Sequence, residues 1–123
     1  MIAIELPIRT VSESNARGHW APRARRAKWQ RDVVALATRP RIVSLGLPVT
    51  VRLTRVAPRA LDDDNLRGAL KACRDGVADA LGVRDNDPRV HWVYGQRRGA
   101  KAAYAVEIVL TPVAIATDLE NAS

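Results

Sequence analysis

The chain reads as a small α+β domain: a mixed or antiparallel sheet of about four strands with two main helices, in the order β-α-β-α-β-β. Three observations predict it. Ile2, Ile4, Leu6 and Ile8 alternate with other residues, the period of a half-buried strand. Two segments carry apolar residues at helical spacing, from about Pro22 to Thr38 and from about Asn65 to Leu81. Three further runs rich in Val, Ile and Leu are bounded by Pro, Gly, Asn and Asp.

Taken in order, the first strand gives way to a polar loop over residues 9–19, which holds Ser12, Ser14, Asn15 and Gly18. In the first helix Pro22 is tolerated in the opening turn, and Pro40 ends the run. Its predicted apolar stripe is Trp29, Val33, Leu36 and Ala37, while Arg23, Arg25, Arg26, Lys28 and Arg31 cover much of the rest. Pro48 to Ala57 reads as the second strand, with Arg52 and Arg55 interleaved among Val49, Val51, Leu53 and Val56. The second helix stops at Gly82, the expected C-terminal cap. An acidic loop over Val83–Arg89 leads into strands at Val90–Gln96 and Ala103–Leu110, which the pattern joins as a hairpin around Arg97-Arg98-Gly99.

A chain of 123 residues is expected to form one domain, residues 1–123, with 113–123 as a frayed tail. Hydrophobic content of 47% with 27% charged residues excludes a disordered chain. No apolar run is long enough for a transmembrane helix, and Met1–Pro7 lacks the features of a signal peptide. Cys73 is the single cysteine, which excludes an intrachain disulfide and a cysteine-cluster zinc site. These points predict a cytoplasmic protein with no membrane partner. Net charge is +7, unevenly spread: residues 1–60 hold twelve basic against three acidic residues, and residues 61–123 eight against ten. Such asymmetry predicts a polyanion-binding half beside an acidic site. The basic residues of the first helix are the candidate contacts for that polyanion, with Arg52, Arg55 and Arg97 as the alternative surface.

The acidic site centres on Asp62-Asp63-Asp64-Asn65. Asp and Asn are good helix N-caps, and acid in the first turn complements the helix dipole. One cap needs one carboxylate, however, and the others add repulsion that a cation would relieve. Asp64 is expected to combine the cap with the centre of the cluster. On an ideal wheel Asp64, Lys71 and Asp75 share the face opposite Leu66, Leu70, Cys73, Val77 and Leu81, with Lys71 about 10 Å along the axis from Asp64. Lys71 and Asp75 also suit an ordinary i,i+4 pair. Asp85-Asn86-Asp87-Pro88 has turn chemistry. It also offers carboxylates that would approach the first set if the flanking strands are neighbours.

In these residues the chain resembles the RusA-like Holliday junction resolvases, or crossover junction endodeoxyribonucleases, often encoded by phages and prophages. Asp62-Asp63-Asp64-Asn65-Leu66 is similar to the family's D-x-D-N-L, and Lys71-Ala72-Cys73-Arg74-Asp75 to its lysine and aspartate on the following helix. Asp79-Ala80-Leu81-Gly82-Val83 and Asp85-Asn86-Asp87-Pro88-Arg89-Val90 resemble its D-x-L-G-x and terminal acidic loop. The family's lysine falls one turn beyond the second aspartate, where this chain has Gly68, with Lys71 three residues further on.

The resemblance implies a homodimeric, metal-dependent nuclease acting on branched DNA, the four-way junction above all. It implies Asp62, Asp64 and Asp87 as ligands of Mg²⁺ or Mn²⁺, with Asp85 as sharer or substitute and Lys71 as the catalytic cation. Arg67 is the nearer competitor for the role of Lys71. Cys73 is expected to be buried and inert, His91 a strand residue, and Trp20 and Trp29 core or dimer contacts. Two other classes fit the composition: a non-catalytic DNA-binding regulator whose acidic run only caps a helix, and an RNA-directed nuclease or RNA-binding domain.

Overall fold

In a computed structural model the protein is described over residues 1–11, 20–100 and 103–113, with the backbone alone for 20 and 21. The polar loop expected around Ser12–Gly18, the side chain of Trp20 and the tail beyond Val113 lie outside these residues. The elements are β1 (Ile2–Leu6), α1 (Trp20–Thr38), a short 3-10 turn at Arg39–Arg41, β2 (Val49–Ala57), α2 (Asp63–Leu81), β3 (Val90–Arg98) and β4 (Ala105–Pro112). The order is β-α-β-α-β-β, as the sequence predicts.

The four strands form one mixed sheet in the order β1-β4-β2-β3. β4 runs antiparallel to both β1 and β2, and β3 runs parallel to β2. The expected β3–β4 hairpin does not form, because β2 lies between those strands. Composition explains the placement. β4 supplies Val106, Ile108 and Leu110, all fully buried, and suits the interior. β3 ends in Gln96, Arg97 and Arg98, all exposed, and suits an edge, where charged side chains discourage pairing with another chain.

Register places one ladder of side chains under the helices. Ile4, Ile108, Leu53 and Tyr94 lie side by side, as do Ile2, Leu110, Val51 and Trp92, then Leu6, Val106, Arg55 and Gln96. Leu66, Leu70, Cys73 and Val77 of α2 close the core above them. That is the stripe the sequence predicts, and full burial of a side chain such as Leu53 or Leu70 contributes about 1.5–3 kcal/mol. Gly82 ends α2 in the left-handed region, at φ 73°.

α1 differs from expectation. Trp29 and Leu36 are exposed, at 54% and 68%, and the buried positions are Gln30, Val34, Ala35 and Thr38. The stripe is rotated because α1 packs tightly on α2. A β-carbon on Gly76 would stand 2.6 Å from the Arg31 carbonyl oxygen and 2.8 Å from Val34 Cβ. An approach that close selects small side chains at the contact rather than the largest apolar ones, so Trp29 is not a core residue of this chain. Cys73 is fully buried, and burial pushes its thiol up to about 12, which leaves it inert at neutral pH.

Candidate functional site

The acidic run sits where the chain leaves the carboxyl end of β2 and starts α2. Asp62 is extended, at φ −70° and ψ 169°, and its Oδ1 accepts the Asn65 backbone N–H at 2.9 Å. The N-cap is therefore Asp62 rather than Asp64, and the helix begins at Asp63 instead of near Asn65. Asp63 and Asp64 occupy the first turn, exposed, and neither makes a hydrogen bond or ion pair among the described residues. Successive helical residues diverge by about 100°, so adjacency in sequence does not converge these carboxylates. Among the described residues no three His, Cys, Asp or Glu side chains are grouped to hold a metal ion.

Gln96 fixes this run against the sheet. Its side-chain amide donates to the Leu61 carbonyl at 2.7 Å and accepts from the Leu61 N–H at 2.9 Å, extending the sheet's hydrogen bonding by one side chain. Nothing in the local sequence marks Gln96 for that role. Its only signal is parity, since it shares a face with Trp92 and Tyr94.

The second acidic loop is held elsewhere. β2 and β3 are neighbours, as the sequence reading requires, but they are parallel. The end of β2 and the start of β3 therefore lie at opposite ends of the paired strands. From Gln96, beside Leu61, to Val90 is six residues of strand, or about 20 Å. Asp87 stands at the far end, where its carboxylate binds Arg89 Nη2 at 2.8 Å, Arg89 Nε at 3.0 Å and the Arg89 N–H at 2.9 Å. Those bonds pull its carboxyl down to about 2. Asp87 is not brought to Asp62 and Asp64.

Asp85 lies between the two ends. Its carbonyl accepts from Trp92 Nε1 at 2.9 Å and Arg74 Nη2 at 2.6 Å, and its carboxylate is 3.6 Å from Arg74 and 3.7 Å from Lys71. Arg74 also donates to the Tyr94 hydroxyl at 2.7 Å and stacks over Trp92. It is thus the residue that folds the loop back along α2, a role sequence reasoning missed. Lys71 joins Asp85 and Asp75, the latter at 3.3 Å, and turns away from the helix start. Arg67 lies over the Tyr94 ring.

A divalent cation fits part of the predicted set. Mg²⁺ is commonly held by one or two carboxylates, with water and substrate phosphate completing the shell at about 2.0–2.1 Å. Asp62 and Asp64 suit that in kind, since one oxygen of Asp62 and both of Asp64 are unclaimed. Among the described residues neither Asp85 nor Asp87 is grouped with that pair to hold an ion.

The basic residues of α1 divide as well. Arg31 forms a bidentate pair with Asp79, at 2.6 and 2.8 Å, and Lys28 pairs with Asp32 at 2.7 Å. The Arg31 pair holds the Asp79 carboxyl below its ordinary value and ties the two helices together. Arg23, Arg25 and Arg26 lie nearer the start of α1. His91 is an exposed strand residue of β3, as predicted.

No protein-family profile matches the chain. An uncharacterized protein of Xylella fastidiosa (strain Temecula1) is 41% identical over 81 residues, which cover 58% of this chain. The match takes in about half, 51%, of that relative's length. Among the described residues no helix is long and apolar enough to cross a membrane.

Proposed function

We propose that the chain is a metal-dependent, structure-selective endodeoxyribonuclease. Its main substrate would be the four-way DNA junction, cut in recombination and repair by a cytoplasmic homodimer, encoded by a phage or prophage. One observation carries the reading. A chain of net charge +7 leaves two adjacent carboxylates, Asp63 and Asp64, exposed and without a partner among the described residues at the carboxyl end of a parallel strand pair, within a D-x-D-N-L run. Open α/β sheets bind ligands at that end.

In this reading Asp62 and Asp64 hold Mg²⁺ or Mn²⁺. The ion would neutralise phosphate charge and lower the pKa of a bound water. Asp62 does two things at once, since its second oxygen caps α2 and so fixes where the pair stands. Gln96 is a positioning residue, acting through Leu61. Lys71, released from Asp75 and Asp85 by an incoming phosphate, supplies positive charge along the same helix face. Asp87 and Arg89 shape the loop that presents Asp85. Arg23, Arg25 and Arg26 contact the DNA backbone outside the cut, positioning it without reading sequence. A two-fold dimer would offer equivalent sites to a junction of near two-fold symmetry.

The test is cleavage of a synthetic four-way junction with Mg²⁺, with Ca²⁺ and with EDTA, against linear duplex and structured RNA. Cutting of the junction with Mg²⁺ alone is expected. A second reading has its own support, because Asp62 is a true cap and no three carboxylates converge among the described residues. Binding without cutting under every metal would leave a non-catalytic DNA-binding protein, and a preference for the RNA would redirect the substrate class.

A further inference from the structure

Beside the acidic run, the carboxyl ends of β2 and β3 open into a cavity of about 340 Å³ lined by Arg55, Arg59, Arg97, Arg98 and Gln96. Among the described residues no carboxylate lines it. Arg97 is neutralised from the outer face of the sheet by Glu107, at 2.8 Å. Among the described residues the other three have no such partner. Arg55 is 6% exposed, and its bonds go to neutral oxygens: Nε to Thr10 Oγ1 at 2.9 Å and Nη1 to the Arg59 carbonyl at 2.6 Å. Burial lowers its pKa, as expected when a cation is desolvated. The side chains of Arg59 and Arg98 make no ion pair among the described residues.

Crowding like charges around a concavity, one of them buried, is unfavourable unless an anion occupies it. Guanidinium groups present forked donors that match phosphate oxygens. The position is as telling as the charge. Gln96 lines the cavity and also grips Leu61, the residue before Asp62. An anion seated there is next to the carboxylate pair.

We infer that the cavity of Arg55, Arg59 and Arg98 is a seat for a backbone phosphate of the bound nucleic acid, flanking the phosphate presented to Asp62 and Asp64. The inference rests on the nuclease reading for its ligand, though not for its chemistry. It moves the principal phosphate contact from α1 to the end of the sheet. Arg55 holds the seat from below, while Arg59 and Arg98 close on the phosphate from its rim.

The experiment uses the full chain with a labelled four-way junction in Ca²⁺, with affinity measured from 50 to 200 mM KCl, and cleavage measured separately in Mg²⁺. Arg59→Ala/Arg98→Ala should flatten the plot of log affinity against log salt by about two units, at roughly 0.9 per lost phosphate contact. Arg59→Lys/Arg98→Lys should keep most of the slope, and equal melting temperatures would show that all three proteins are folded. An unchanged slope in the alanine variant overturns the seat even if the enzyme cuts normally. A flattened slope in a protein that fails to cut whichever metal is supplied supports the seat and removes the nuclease reading. Failure of the wild type to bind junction, duplex or single strand removes both.

Discussion

The two ends of α2 are written in the same letters and behave differently. At its start stand Asp62, Asp63 and Asp64; after its end come Asp85 and Asp87. In the loop every carboxylate has a cation: Arg89 for Asp87, Arg74 and Lys71 for Asp85. At the start, one carboxylate caps the helix and two face solvent with no partner among the described residues, beside a cavity where Arg55, Arg59 and Arg98 likewise have no carboxylate partner among those residues. Opposite charges that could pair are instead held apart on adjoining surfaces. A fold pairs charges where it needs a fixed loop and leaves them open where a ligand is to complete them.

The largest expected effect separates the two ends directly. Asp64→Asn should lower junction cleavage by about a hundredfold or more, with binding intact or tighter. Its melting temperature should hold, since Asp62 is the cap. Asp87→Asn should cost far less, and Arg89→Ala should match it, because both break one clamp. Should Asp87→Asn abolish cleavage while Arg89→Ala spares it, Asp87 is a ligand and the two ends are one site.

Lys71 is the next test. Lys71→Ala should reduce single-turnover cleavage by about a hundredfold with little change in junction affinity. A small loss there, with a large one for Arg67→Ala, would give the role to the arginine over Tyr94.

The two glycines of α2 sharpen the comparison in stability. Gly68, in the half nearer the start, has open space around it, while Gly76 lies against α1. Gly68→Ala should raise stability by up to about 1 kcal/mol through helix propensity. Gly76→Ala should lower it by about 1–3 kcal/mol, because the Arg31 backbone must move. Chemical denaturation reads both, and equal signs would mean that α1 does not pack as described.

The smallest effect is a titration. The carboxyl of Asp87 is held near 2, below its ordinary 3.8. A depressed acid contributes stability above its unfolded pKa and loses it as pH falls through the folded value, so the loop should loosen between about pH 4 and pH 2. Carbon-detected NMR of Asp87 should give a midpoint near 2. A midpoint at 3.8 would show that the Arg89 clamp does not persist in solution.

The sequence by itself determined the fold class, the stripe of α2, its glycine cap and the location of the acidic run. Each is a local property, set by a period, a turn residue or a cluster of like charges along the chain. It misplaced the partner of β3 and the phase of α1, because β2–α2–β3 is a crossover and α1 seats on a glycine of another helix. Which carboxylates are free was decided only in three dimensions. Parallel pairing sends the end of β2 and the start of β3 to opposite ends of the strands, so two acidic motifs with Asp64 and Asp85 separated by one helix became a clamp and an open site. The arginine cavity was likewise not legible as a cavity, since Arg98 lies far from Arg55 and Arg59 in sequence and meets them only where two parallel strands end together.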